Sequence, residues 1–233
     1  MKYLAYHYVN FGERQERMGV NQELNALQKE VTRQKILEAG FRIFAEKTIE
    51  PVSMQEIADA AGLGVATVYR YYGSKPALVL GVGAWIWEQY VARAIRTAAD
   101  RNMTAAEELA FFLDMFLDLY RSHRDMLRFN QFFNVYVERE GLPADTLAPY
   151  RGMLEEMAAR FHVLYENAQR DGTLRTDVSE KAMFSASLHL MMAAVTRYAV
   201  GLIYDGGQDP ETELVLLKKM LLREFAAPLA SLV

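Results

Sequence analysis

The side chains able to do chemistry in this sequence are few in kind and concentrated in one stretch. Cysteine is absent, which removes disulfides, thiolate metal sites and thiol nucleophiles. The four histidines stand far apart, and His162 shares a helical face with Arg151, Glu155 and Glu166, the pattern of a solvated residue. No phosphate-cradling glycine loop, nucleophile motif or metal-ligand spacing is present. The expectation is therefore no catalytic residue, no metal and no cofactor, unless catalytic groups are dispersed through the fold. What remains is the run from Ser53 to Lys75, where hydroxyls, tyrosines and two cations surround three glycines. An arginine such as Arg70 can form a bidentate pair with guanine or neutralise a phosphate, and the sequence leaves both roles open. Lys75, beside the start of a predicted helix, adds its charge to the positive end of the helix dipole and suits a phosphate.

Such residues act only if short helices hold them. Ile36, Leu37, Gly40, Phe41 and Phe44 recur at helical spacing, so Glu30 to Lys47 reads as an amphipathic first helix, ended by Thr48 to Val52 with Pro51. Ser53-Met-Gln-Glu56 matches a capping box opening a second helix to Ala61. Gly62 supplies a left-handed closing position, and Gly64 permits tight entry into a third helix, Val65 to Tyr72. Ser74 reads as an N-cap, with Lys75-Pro76 in the first turn of a long fourth helix towards Ala99. Two short helices around a tight turn form a helix-turn-helix, whose second helix inserts side chains into the major groove. Val65, Val68 and Tyr72 can face the core there, while Thr67, Arg70 and Tyr71 point outward.

The 233-residue chain is 52% hydrophobic and 24% charged, ordinary for a globular protein. Its net charge of -4 argues against coating nucleic acid through bulk positive charge, so any DNA contact must be local. Between residues 31 and 76 the balance tips slightly basic: Arg33, Lys35, Arg42, Lys47, Arg70 and Lys75 face Glu38, Glu46, Glu50, Glu56 and Asp59. The most apolar stretch, Ala182 to Thr196, is too short and too polar to span a bilayer. The N-terminus lacks the basic start and apolar run of a signal peptide. No membrane association and a cytoplasmic location are the expectations.

TRQKILEAGFRIFAEK, followed by MQEIADAAGLGVATVYRYYGSKPAL, resembles the DNA-binding region of TetR (tetracycline-repressor) family regulators over roughly residues 31 to 80. The signature is Thr67-Val68-Tyr69, the aromatic Tyr72, and Ser74-Lys75. The resemblance implies a transcriptional regulator that binds a palindromic DNA operator as a homodimer, with repression as the family default and a small, fairly apolar effector that releases it. It implies DNA contacts from Ser53, Gln55, Ala66, Thr67, Tyr69, Arg70, Tyr71 and Lys75, with Tyr72 in the core. Two departures stand out: Gly64 occupies a position where a capping serine is frequent, and Val65-Ala66 leaves the start of the recognition helix without polar side chains.

The fold class is all-α: an N-terminal three-helix helix-turn-helix domain (29–76) joined by a long helix to a larger helical effector-binding and dimerisation domain (77–233). Residues 1–28 form an arm left unassigned, with a mobile tail as its plainest reading. Further helices are expected at about 104–120, 124–139, 147–170, 179–204 and 211–227. Phe184, Leu188, Met191, Met192, Val195, Tyr198, Ala199 and Leu202, with Leu214, Leu217, Leu221 and Phe225, are expected to pair the last two helices with their copies in a four-helix dimer interface. Candidate effector contacts are Phe112, Met115, Phe116, Asn130, Phe133, Asn134, Phe161, Tyr165, His189 and Met192. Aromatic and Met stripes are more often plain core, whereas Asn130 and Asn134, one turn apart in an apolar stretch, could aim hydrogen bonds at a ligand or face water. A helical protein-interaction module is the competing reading.

Overall fold

The computed structural model describes residues 2–98, 102–201 and 209–227. Those residues form nine helices: α1 (Lys2–Lys47), α2 (Met54–Ala61), α3 (Val65–Tyr72), α4 (Lys75–Ala98), α5 (Ala105–Ser122), α6 (Arg124–Glu140), α7 (Ala144–Asp171), α8 (Glu180–Val200) and α9 (Pro210–Phe225).

Local chemistry accounts for most of the boundaries. In α2 both halves of the capping box form: the Glu56 amide donates to Ser53 Oγ at 3.2 Å, and the Ser53 amide donates to Glu56 Oε2 at 2.8 Å. Thr104 and Glu107 repeat the device at α5. Ser179 caps α8, and Asp209 with Pro210 opens α9. Gly62 closes α2 in the left-handed region, φ 67°, where glycine carries no Cβ penalty. Its neighbour completes the turn, with the Leu63 amide donating to the Ala58 carbonyl at 2.9 Å.

The first helix is longer than the apolar pattern predicted. It does not begin at Glu30 but runs unbroken from Lys2, so residues 2–28 are helical rather than an unstructured tail. This stretch contains no proline, and Gly12 and Gly19 cost about 1 kcal/mol each without blocking the helix. Gln22 to Glu30 are exposed on every face, which is why no amphipathic stripe marked them. The helix ends where Thr48 takes a positive φ of 68°.

Two clusters of buried side chains organise the molecule. Ile36, Leu37, Phe44, Ile49, Ile57 and Val68 bring α1, α2 and α3 together. Leu78 to Leu80 and Val82 of α4 and Phe129, Phe133 and Tyr136 of α6 belong to the same cluster. The second cluster joins the rest of α4 to α5, α7, α8 and α9 through residues such as Trp87, Leu113, Phe161, Met191 and Leu214. Helices α4 and α6 thus have one end in each cluster. Their contact is close, since a Cβ added at Gly83 would lie 2.8 Å from the Phe133 ring. Far from it, the α7–α8 connection is fastened to the end of α9, the Arg175 amide donating to the Phe225 carbonyl at 2.9 Å.

The apolar surface of α8 and α9 turns out differently from the expectation. Met191, Val195, Leu214, Leu221 and Phe225 are buried in this chain's own core, while Leu202 lies outside the described residues. The apolar side chains left exposed are Leu190 (52%) and Val200 on α8 and Leu216 (57%) and Met220 on α9, with exposed Ala182 and Ala193 on the same α8 face. A helix that is apolar nearly all round gives no stripe from which to tell core from partner.

Candidate nucleic-acid interface and ligand cavity

Helix α3 has only eight residues and derives its position from packing. Val68 is fully buried, while Tyr69 is 49% exposed. Ala66 and Arg70 are exposed beside it and Thr67 is half-buried. The outward face is therefore Ala66, Tyr69 and Arg70, flanked by Thr67. Gly64 supplies no side-chain cap, so the first amides of α3 have no side-chain acceptor from that position.

Tyr71 is held at the edge of this face. It is half-buried against the head cluster, its hydroxyl donates to the Lys29 carbonyl of α1 at 3.2 Å, and the Arg70 guanidinium lies 5.9 Å from its ring. Tyr72 packs inward, its ring against Gly81, where an added Cβ would stand 2.7 Å from Cε1. Its hydroxyl is buried without a hydrogen bond, and burial pushes its pKa up.

The remaining interface residues have local partners. Ser53 caps α2, and Gln55 donates to Asp59 at 2.7 Å along the helix surface. Glu56 is held below the usual glutamate range, first by the Ser53 amide, then by the Ser53 hydroxyl and Lys47. Lys75 turns inward: Nζ donates to the Glu50 carbonyl at 2.8 Å and sits 5.9 Å from the Tyr136 ring. Partial burial lowers its pKa. Arg139 of α6 reaches the same turn, 3.6 Å from Glu50. The turn between α1 and α2 is thereby tied to α4 and α6, a link that spacing along the sequence did not reveal.

The residues expected to contact an effector do not converge on one place. Asn130, Asn134, His189 and Met192 come together around a cavity of about 480 Å³ between α6 and α8, lined also by Gln131, Ala193, Thr196, Arg197 and Val200. Phe112, Phe116 and Phe161 pack instead as an aromatic cluster with Phe184, ring centroids 5.1–6.2 Å apart. Tyr165 is buried, donating to the Val178 carbonyl at 2.7 Å. Phe133 packs on Tyr150 and Gly83 in the head cluster. Met115 lines a separate groove between α4 and α5. Thr196 and Arg197 of the cavity wall were absent from the sequence-derived set, although Thr196 lies on the polar seam of Ser185, His189 and Met192. Among the described residues no cluster of three or more metal-ligating side chains occurs, and no helix is long and apolar enough to cross a membrane.

A capped, tightly turned helix pair presenting α3 above an all-helical body defines a helix-turn-helix protein. Residues 36–82 match the model of the bacterial regulatory proteins of the tetR family, so this segment is similar to the DNA-binding domain of those regulators. A 55-residue stretch is 42% identical to an uncharacterised HTH-type transcriptional regulator of Mycobacterium tuberculosis, covering 24% of this chain and 27% of that relative. The match thus spans about a quarter of the curated relative's length.

Solved structures extend the likeness to the body. A transcriptional regulator from Saccharomonospora viridis in complex with choline superposes with a TM-score of 0.68 at 17% identity, covering 84% of this chain and 98% of that one. The regulator FadR from Bacillus subtilis, in complex with stearoyl-CoA, gives 0.66 at 16% identity, covering 82% and 97%. A TetR-family protein from Vibrio parahaemolyticus gives 0.63 at 21%, covering 84% and 99%. The superpositions, at these identities, establish a shared fold and nothing more.

Proposed function

We propose that the protein is a dimeric transcriptional repressor that binds a palindromic DNA operator through α3 of each copy and is released by a small, fairly apolar effector. The observation that carries this reading is the outward face of α3, where exposed Tyr69 and Arg70 stand on a helix whose opposite side is locked by buried Val68. Arg70 reads or neutralises DNA, and Thr67, Tyr69 and Ala66 contribute contact surface. Ser53 and Gln55 present the start of α2 to the backbone. Tyr71 approaches DNA from the α3–α1 edge, and Lys75 reaches a phosphate only by leaving the Glu50 carbonyl.

The exposed apolar side chains Leu190, Leu216 and Met220 support a dimer built from α8 and α9. Such a dimer places two recognition helices about 34 Å apart, or a multiple of that, to meet successive major grooves. The effector occupies the α6–α8 cavity, in reach of Asn130, Asn134, His189 and Met192. Because α6 carries both that cavity and the Phe133, Tyr136 and Arg139 contacts to the head, a ligand that shifts α6 alters head separation. A coupling of about 1–3 kcal/mol suffices to release the operator. The two similarly folded regulators in complex with choline and stearoyl-CoA support small-molecule binding by this fold. The protein works in the cytoplasm, where its operator lies.

Fluorescence anisotropy with selected duplex DNA over a salt series tests the reading. Specific binding that weakens steeply with salt supports it. Salt-insensitive or absent binding supports a helical protein-interaction module instead.

A further inference from the structure

The α6–α8 cavity has a charge character that separates it from the other surface hollows. The groove between α4 and α5 contains Asp114 and Asp118 beside Arg121, and its charges are matched: Lys218 pairs with Asp114, and Arg121 with Glu211. The groove between α4 and α7 holds Glu88 and Glu156 with Arg160. Among the described residues, the α6–α8 cavity has no acidic side chain in its wall. Arg197 there forms no ion pair among the described residues, whereas Arg121 and Arg175 each hold carboxylates. Asn130 is 6% exposed and Thr196 8%, and the Thr196 hydroxyl is buried with no hydrogen-bond partner. Buried polar groups ordinarily have partners, and exceptions need an explanation.

The floor combines these donors with apolar surface. Asn130 and Asn134 stand one turn apart on α6. His189, Met192, Thr196 and Arg197 occupy successive turns of α8, with Ala193 and Val200 beside them. A guanidinium and carboxamides, with no carboxylate among the described wall residues, favour a negatively charged oxygen group, because charge-assisted hydrogen bonds are roughly twice as strong as neutral ones. A volume of about 480 Å³ lies in the range of small-molecule sites, whose walls are mostly apolar with a few placed polar groups.

We propose that this cavity binds an anionic amphipathic small molecule, its carboxylate on Arg197 and the Asn130 and Asn134 amides, its apolar part along Met192, Ala193 and Val200. The proposal rests on the effector reading of this cavity and adds the sign of the ligand's charge. His189, whose Nδ1 lies 3.3 Å from Ser185 Oγ, stands at the rim as a further donor.

Calorimetric titration of the full chain with octanoate, octanol and octyltrimethylammonium, each below its aggregation threshold, tests it. Octanoate binds at least tenfold more tightly than octanol, and the cation binds more weakly than either. Arg197→Gln abolishes the tenfold preference, whereas Arg223→Gln, on the exposed side of α9 and outside the cavity, keeps it. Equal affinity for octanoate and octanol, preference for the cation, no octanoate binding at millimolar concentration, or a preference that survives Arg197→Gln overturns the proposal. Operator binding by the same samples reports separately on the regulator reading. A protein that binds DNA but shows no preference loses only this site, and one that keeps the preference without binding DNA loses only the regulator reading.

Discussion

Gly83→Ala tests the close contact between α4 and α6, and Gly152→Ala provides its internal standard. Both glycines lie inside helices, α4 and α7, and replacing a helical glycine by alanine stabilises by about 0.5–1 kcal/mol. At Gly152 an added Cβ meets nothing within 4 Å, so the full gain should appear. At Gly83 it lies 2.8, 3.1 and 3.3 Å from three atoms of the Phe133 ring. That ring is 2% exposed and is packed between Phe129 and Tyr150, so it has little room to withdraw. Overpacking of this kind costs about 1–3 kcal/mol. The two variants should therefore differ by about 1–3 kcal/mol, or roughly 2–12 °C in Tm for a chain of this size. Denaturant midpoints at one fixed protomer concentration measure the difference. Adding Phe133→Leu should recover much of the loss in the Gly83→Ala background, a non-additive result expected of touching residues. Equal stability of the two alanine variants would refute the close α4–α6 contact, and with it the route from cavity to head.

Three further outcomes follow from the structure. Glu56 has a folded-state pKa depressed by the Ser53 amide, so its contribution is present above the unfolded value and fades as pH falls through the folded one. The gap in urea midpoint between wild type and Glu56→Gln should close in acid, and a gap independent of pH would contradict the capping role. His162 behaves with the opposite sign: hydrogen bonding to Glu180 raises its pKa, so its contribution is complete below the usual histidine value and is lost as pH rises through the raised one. Glu180→Gln should bring its NMR titration midpoint down, and an unmoved midpoint would count against the pair. Leu190→Glu with Leu216→Glu should give helical monomers by sedimentation and circular dichroism, since both side chains are more than half exposed. A persistent dimer would place the interface elsewhere.

Short-range rules made the head legible from sequence. Ser53 with Glu56, Gly62 and Ser74 each act within four residues, and each takes the predicted local geometry. The long extension of α1 was hidden because Gln22 to Glu30 are exposed on every face and bury no apolar stripe. Buried and exposed faces of α8 were hidden for the converse reason, since apolar residues surround the helix. In the cavity, Asn130 and Asn134 announced themselves as amides in an apolar run, and His189 and Met192 as part of a seam. Their meeting depends on how α6 crosses α8, and that crossing is a tertiary fact. The inward turn of Lys75 depends likewise on the Glu50 carbonyl, 25 residues away in sequence.

Selection from random duplex DNA, run with wild type and with Tyr69→Ala/Arg70→Ala, tests the central claim most directly. The account predicts enrichment of a palindrome by wild type and its loss in the variant, which should stay folded because both side chains are exposed. Failure of wild type to enrich any sequence, or an unchanged palindrome with the variant, would contradict the assignment of α3 as the surface that reads DNA.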